Sequence, residues 1–102
     1  STQGRMYYDT PYAFTTGTFE ASVVAIGPVL AGFAGLTVDF RDASGNAFLT
    51  ENASSGDTLT VTAASLVPFG TVASARVYLR ANSGTPISAP VTFSSLTVTV
   101  TP

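Results

Sequence analysis

The chain has 102 residues, of which 10% are charged and 45% are hydrophobic, and its formal net charge is −2. This length fits one thin hydrophobic core, so we expect residues 1–102 to form a single domain and not a disordered tail. The acidic balance leaves no basic stripe for nucleic acid, and no apolar run approaches the roughly 20 residues that span a bilayer, so we expect neither nucleic-acid binding nor membrane insertion.

The N-terminal stretch, residues 1–14, is rich in tyrosine and is interrupted by a proline. Pro11 has no backbone N–H to donate, which confines this stretch to a sheet edge or to an extended N-terminal arm. Tyr7, Tyr8 and Tyr12 combine a large apolar area with a polar tip, which suits stacking on a sugar ring, contact with a neighbouring subunit or closure of a sheet edge. We treat these three tyrosines as candidate interface residues.

From Thr18 onward, apolar and polar residues alternate with the period of two that is typical of half-buried strands. In the clearest case, Leu36, Val38 and Phe40 alternate with polar residues. Strands are predicted at residues 18–26, 36–41, 47–51, 58–63, 75–80 and 91–100. No stretch has a helical period, so the sequence predicts an all-β fold.

Clusters of Asp, Asn, Ser and Gly separate the predicted strands. Residues 42–46, 54–57 and 82–86 are predicted turns, because Asp and Asn bond to their own backbone and Gly accepts a positive φ. In the last strand the apolar parity changes at Ser94 and Ser95, and this slip predicts a β-bulge.

Two irregular segments carry large apolar residues. The segment between the first two long strands contains three glycines and a proline, so it does not fit a regular central strand, and it presents Val29, Leu30 and Phe33. The second segment presents Val67 and Phe69. Such residues either form contact surfaces or cover the ends of the core, and the sequence does not decide between these two alternatives. Val29, Leu30, Phe33 and Phe69 are therefore further candidate interface residues.

Four parts of the chain are similar to the strand patterns of one family. Residues 17–23 are similar to "G-x-Y-x-x-S-hydrophobic", with Phe19 at the Tyr position, and residues 36–46 resemble "hydrophobic-x-F-x-D-x-x-G-N". Residues 58–62 with 73–79 are similar to "L-x-V-x … A-x-x-A-R-V-x-L", and residues 91–98 look like a last strand. These segments resemble galactose-binding-like β-sandwiches, the jelly rolls that include many carbohydrate-binding modules. The resemblance implies an antiparallel two-sheet β-sandwich with jelly-roll topology and about seven or eight strands.

The chain departs from this family at three points. The strands that precede Gly17 are short or missing. Ser94 and Ser95 stand where the family often has Asp residues near a calcium site. Sugar-binding members usually stack Trp and Tyr on the sugar, and this chain has no Trp. The departures weaken the expectation of calcium and sugar binding.

Reactive side chains are few. The sequence has no Cys, His, Trp or Lys, so acid–base catalysis would rest on carboxylates, Tyr and Arg. Asp39 and Asp42 are close in sequence, but the pattern places the first on the polar face of a strand and the second in a turn. Asp42, Ser44 and Asn46 imitate the start of a calcium loop whose other ligands are missing. We predict no catalytic residue, no metal site and no cofactor, and therefore no enzyme.

Arg76, Tyr78 and Arg80 share one face of a predicted strand. They are the candidate glycan-binding residues, because Arg pairs with carboxylates and Tyr offers a ring with a polar tip. The alternative is an ordinary solvated sheet face, on which surface arginines are common.

Low charge, few reactive groups and apolar loops predict a non-enzymatic module that acts through protein–protein contacts. Modules of the resembled family occur in bacteriophage tail and head-surface proteins. The resemblance therefore implies a capsid-decoration or tail accessory protein, located in the virion, whose partners are other virion proteins or its own copies in a homo-oligomer. The alternative is a carbohydrate-binding module, either receptor-binding on a phage or part of a secreted enzyme, with a cell-surface glycan as its partner.

Overall fold

Strands dominate the structure, a computed structural model that describes residues 2–7, 11–26, 34–83 and 92–102. Every strand pairing in these residues is antiparallel. The elements, in chain order, are β1 (Thr2–Tyr7), β2 (Tyr12–Ala13), β3 (Thr18–Ile26), β4 (Ala34–Arg41), β5 (Ala47–Ser54), β6 (Thr58–Thr62), helix α1 (Ala63–Leu66), β7 (Ser74–Ser83) and β8 (Thr92–Thr101).

The strands form two sheets. The larger sheet has the order β1-β7-β4-β5, with the short β2 also paired to β7, and the smaller sheet has the order β6-β3-β8. The prediction of an all-β protein with two antiparallel sheets is confirmed. Because β3 and β4 belong to different sheets, the chain between them passes from one layer to the other.

The hydrophobic core lies between the sheets and takes side chains from both. Phe19 and Val23 of β3 are buried against Val38 and Phe40 of β4 in one cluster. The rings of Phe14, Phe19 and Phe40 meet with centroids 5.7 to 6.1 Å apart. The inward parity predicted for β3 and β4 is confirmed at these residues, and burial of each phenylalanine contributes about 2 to 3 kcal/mol.

The N-terminal strands attach to one edge of the larger sheet. β1 is the outermost strand on that side, and Tyr7 lies opposite Tyr78 of β7 in the pairing. After Pro11, Tyr12 pairs with Ala75, and its ring meets Phe19 edge to face at 6.4 Å. Tyr12 therefore packs at the margin of the core.

Several predicted boundaries were wrong. β4 begins at Ala34 instead of Leu36. β7 continues to Ser83 instead of ending at Arg80, so the first two residues of the predicted turn at 82–86 belong to a strand.

β5 continues to Ser54 instead of ending at Glu51, because it pairs with β4 along that whole length. The strand predicted to end at Ala63 ends at Thr62, where a one-turn helix begins. The Thr62 hydroxyl accepts the backbone N–H of Ser65 at 3.2 Å and caps this turn. One turn is too short to produce a helical period in the sequence.

The β-bulge predicted in the last strand is confirmed. Two residues of β8, Ser95 and Leu96, stand opposite Val23 alone, because the register of the β3–β8 pairing shifts there. Ser95 has a φ of 54°, in the left-handed region that non-glycine residues rarely occupy. The bulge returns the apolar residues on both sides of it to the core side of the sheet.

Candidate functional site

The outer face of the larger sheet carries three arginines whose side chains the structure describes. Arg41 belongs to β4, and Arg76 and Arg80 belong to β7, at positions that alternate with buried residues. The fourth, Arg5, lies opposite Arg80 in the β1–β7 register. We call the surface formed by Asp39, Arg41, Arg76, Tyr78 and Arg80 the arginine face.

A polar triad occupies the middle of the arginine face. The Tyr78 hydroxyl donates to Asp39 Oδ2 at 2.8 Å and accepts from Arg41 Nη2 at 3.1 Å. Arg41 Nη2 lies 3.7 Å from the same carboxylate oxygen, and the Thr50 hydroxyl donates to Asp39 Oδ1 at 2.7 Å. Arg41 Nη1 also donates to the carbonyl of Gly45 at 3.2 Å. These bonds join β4, β5, β7 and the β4–β5 hairpin.

The environment of Tyr78 stabilises its protonated form. Burial, followed by the hydrogen bond to Asp39, raises the pKa of the Tyr78 hydroxyl above 10.0, and the bond from Arg41 opposes this rise. A phenol whose pKa is raised is a poor base and a poor nucleophile at neutral pH. The triad therefore has the chemistry of a structural hydrogen-bond network.

A second polar group lies beside the triad. Arg80 Nη1 donates to Asn52 Oδ1 at 2.9 Å and to the Thr37 hydroxyl at 3.2 Å. The Thr37 hydroxyl in turn donates to the same Asn52 oxygen at 2.7 Å. Arg80 thus reaches from β7 across β4 to β5, and it ties the edge strand β5 to the sheet.

The predicted glycan-binding residues therefore share one face, as expected from their parity, but they differ in exposure. Tyr78 is only 4% exposed, and its hydroxyl is engaged by Asp39 and Arg41. Its ring offers no open platform on which a sugar could stack. Recognition of a ligand on this face would rest on charge and hydrogen bonding. Sequence reasoning missed Asp39 and Arg41 as partners of Tyr78, because only the pairing of β4 with β7 brings them together.

An apolar surface lies at the other margin of the larger sheet. Phe69 is 59% exposed and Val67 is 71% exposed, both in the turn that follows α1. The backbone N–H groups of Phe69 and Gly70 both bond to the carbonyl of Leu66, which fixes the turn. Gly70 packs against the ring of Phe48, so closely that a Cβ at this position would lie 2.9 Å from the ring. We call the surface of Phe48, Val67 and Phe69, together with the buried Leu66 beneath it, the apolar corner.

A cleft of about 340 Å³ opens beside the apolar corner, between the edge strands β5 and β6. Its lining mixes apolar and polar residues: Leu49, Leu59, Val61, Leu66 and Phe69, with Glu51, Thr60 and Ser65. Glu51 pairs with the buried Val38, so its side chain lies on the inner face of β5. The sequence of β5 did not predict this inward position of Glu51, because Glu51 lies between two other polar residues, Thr50 and Asn52.

The outer face of the smaller sheet is a regular array of hydroxyl groups. Thr60 and Thr99 both lie opposite Glu20 of the central strand β3. The rows on either side are Thr58–Ser22–Thr97 and Thr62–Thr18–Thr101. The array arises because β6 and β8 carry the same alternation of threonine with Leu or Val, at Thr58–Thr62 and at residues 97–101. With one carboxylate among hydroxyls, this face can form hydrogen bonds but has no pair of titratable groups for acid–base catalysis.

The hairpin between β4 and β5 is a hydrogen-bonded turn. Asp42 Oδ1 accepts the backbone N–H groups of Ser44 and Asn46, each at 3.0 Å. Gly45 has a φ of 86°, and its N–H bonds to the Asp42 carbonyl at 3.0 Å. The carboxylate of Asp42 thus stabilises the turn, which is the role that the plain-hairpin interpretation predicts.

Several predicted interface residues fall outside what the structure describes. Tyr8, Val29, Leu30 and Phe33 lie outside the described residues, and Tyr7 is described through its strand pairing alone. Within the described ranges, no group of three or more His, Cys, Asp and Glu side chains is placed to hold a metal ion. No helix of this part of the chain is long and apolar enough to cross a membrane.

Comparison of the chain with protein-family models, with curated proteins and with solved structures gives no match. The chemistry of the three surfaces is therefore the basis for assigning a function.

Proposed function

We propose that this chain is a non-enzymatic interaction module that binds other protein chains through its apolar corner. The observation that carries the proposal is the exposure of Val67 and Phe69, at 71% and 59%, beside a cleft that Leu49, Leu59 and Val61 help to line. Large apolar residues that are exposed together mark contact surfaces more often than scattered single ones do. The turn that carries them is hydrogen-bonded to Leu66, so the surface is preorganised and binding costs little ordering entropy.

The packed core holds the apolar corner in place, which supports the same function. Leu66 is buried at the base of the turn, and it belongs to the cluster that contains Phe19 and Phe40. The apolar corner is therefore anchored on the packed interior and not on a free loop. Among the described residues the polar side chains of the arginine face bond to one another and to the neighbouring strands, which is consistent with scaffolding and not with turnover.

The sequence resemblance to jelly-roll, galactose-binding-like modules extends the proposal. We infer a virion location, as a capsid-decoration or tail accessory protein, whose partners are other virion proteins or copies of itself. Repetition of one modest contact by the symmetry of a particle would supply avidity without a strong single contact. A secreted location is the alternative.

Site-specific photo-crosslinking tests this function. A photoreactive phenylalanine analogue replaces Phe69, and the variant is produced in the natural source of the protein, where its partners are present. The matched control carries the analogue at Ala43, which is exposed in the β4–β5 hairpin. We expect covalent adducts to another protein chain from position 69 and few from position 43. Identification of a particle component in the adduct would support the virion location. Equal or no adducts at the two positions would overturn the proposal, and so would turnover of a substrate by the purified protein.

The arginine face supports a second candidate function, the binding of an acidic glycan. This face is defined by three arginines, Arg41, Arg76 and Arg80, and one acidic residue, Asp39, so its net charge is positive. The whole chain, in contrast, has a net charge of −2. Because the ring of Tyr78 is buried, the ligand would be held by charge, and a carboxylated or sulfated sugar would be required. Calorimetric titration with acidic and neutral oligosaccharides tests this function. Binding of the acidic series that weakens in Arg76→Gln would support it, and no binding would exclude it.

A further inference from the structure

The edges of the larger sheet both carry charge. Arg5 lies in the edge strand β1, and Glu51 of β5 occupies a position on the inner face of the sheet. A sheet edge exposes unpaired backbone N–H and C=O groups that another chain can pair with, and charged residues, inward-pointing ones above all, oppose such pairing. β5 also contains an extra residue, Phe48, where its register with β4 shifts. Both edges of this sheet therefore have features that oppose pairing with another strand.

The edges of the smaller sheet differ from each other. β8 is interrupted by the bulge at Ser95, which bends the strand and limits its pairing. The other edge strand, β6, consists of Thr58–Thr62, without charge, proline, glycine or bulge. In the described part of the chain β6 pairs with β3 alone, and Thr60 at its centre is exposed. β6 is thus the edge with the least protection against pairing.

The inward-facing side chains of β6 are apolar. Leu59 and Val61 point into the cleft between the sheets and are only partly buried. The cleft continues to Phe69, and the exposed Val67 lies in the same turn. A strand that is added to β6 would cover both the cleft and part of the apolar corner, so backbone hydrogen bonds and apolar burial would act together.

We propose that β6 pairs with β6 of a second copy of this chain, antiparallel and about a two-fold axis at Thr60. The pattern Thr-Leu-Thr-Val-Thr alternates identically in both directions, so each threonine would face a threonine of the second copy, and Leu59 would face its Val61. Threonine pairs and aliphatic pairs are both favourable across antiparallel strands. No like charges meet, because Asp57 would lie opposite Ala63 of the second copy.

The pairing produces a continuous six-stranded sheet with the order β8-β3-β6-β6-β3-β8. Its outer face extends the hydroxyl array over both copies, and its inner face joins the two clefts. A two-fold contact of this kind is closed, so it yields a dimer and not a filament. This inference rests on the proposed function and names a second copy as one partner of the module.

Sedimentation velocity over a concentration series tests the pairing, with two lysine variants. Thr60→Lys places two like charges opposite each other at the two-fold axis and should weaken dimerisation at least about tenfold. Thr99→Lys is the matched control, because Thr99 is also exposed and also lies opposite Glu20, but on β8. We expect the control to dimerise within about twofold of the original protein. Circular dichroism of both variants checks that they keep the fold.

A charge-reversal experiment completes the test. Thr60→Glu alone should also be monomeric, and its mixture with Thr60→Lys should restore a heterodimer, because opposite charges then face each other. A monomer at all concentrations of the unsubstituted protein would overturn the inference, as would equal effects of Thr60→Lys and Thr99→Lys. Adducts from position 69 to a different protein would then still support the proposed function, so the two failures are distinguishable.

Discussion

The hydroxyl of Tyr78 donates to Asp39 Oδ2 at 2.8 Å, although the two residues are 39 positions apart in the sequence and belong to different strands. Tyr78 is buried to 4% exposure, whereas sequence alternation assigned it to the solvated face of β7. The hydroxyl also accepts from Arg41, so it bridges the Asp39 carboxylate and the Arg41 guanidinium. This relationship makes the outer face of the larger sheet a cohesive hydrogen-bonded layer and not a set of independent surface side chains.

Removal of the Tyr78 hydroxyl should destabilise the fold. In Tyr78→Phe, the Asp39 carboxylate and the Arg41 guanidinium lose their shared partner, and we expect a loss of about 2 kcal/mol in the free energy of unfolding. Urea denaturation measures it. The control is Tyr12→Phe, because no hydrogen bond of the Tyr12 hydroxyl occurs within the described residues, and it should cost less than about 0.5 kcal/mol. Equal losses in the two variants would contradict the role of the triad.

Stability should decrease at alkaline pH through the same residue. Burial and the bond to Asp39 raise the pKa of Tyr78 above 10.0, so the folded chain holds this proton at a pH where the unfolded chain releases it. The contribution is complete below pH 10.0 and is lost as the pH rises through the raised pKa of the folded state. Urea denaturation from pH 8 to pH 11 should show a steeper decline for the original protein than for Tyr78→Phe. Parallel declines would show that Tyr78 does not titrate in this way.

Substitution by glycine should stabilise the fold at the bulge in β8 and destabilise it in the regular part of the strand. Ser95 has a φ of 54°, which costs a non-glycine residue about 1 kcal/mol, so Ser95→Gly should stabilise the fold by about 0.5 kcal/mol. Thr99→Gly, at an exposed position in the regular part of β8, should destabilise it by about 0.5 to 1 kcal/mol. Thermal and urea denaturation of the two variants measure the difference. Destabilisation by Ser95→Gly would contradict the bulge geometry.

Two glycines with almost the same backbone angle should differ in their tolerance of alanine. Gly17 has a φ of 83° and Gly45 a φ of 86°, so both substitutions carry the left-handed cost of about 1 kcal/mol. A Cβ at Gly17 would overlap the carbonyl oxygen of Thr101, whereas nothing lies within 4 Å of a Cβ at Gly45. We expect Gly45→Ala to cost about 1 kcal/mol and Gly17→Ala to cost at least about 3 kcal/mol. Similar losses would show that the end of β8 moves freely away from Gly17.

Local alternation along the chain predicted which faces of the strands are apolar, and hence the all-β class. Period-two alternation in β3 and β4 is a local property, so the burial of Phe19, Val38 and Phe40 follows from it directly. The bulge at Ser95 was predictable for the same reason, because a change of parity is visible along one strand. Asp42 and Gly45 likewise act within a single turn, where local hydrogen bonds decide the conformation.

The order of the strands in the sheets was not predictable from the sequence, and the candidate surfaces depend on that order. The pairing of β4 with β7 buries Tyr78 between Asp39 and Arg41, and the pairing of β4 with β5 turns Glu51 towards the cleft. The position of β6 at an edge likewise follows from sheet order and not from its own residues. Alternation specifies the side of a strand on which a residue lies, but register and strand order come from the packing of the whole core, which no local pattern encodes.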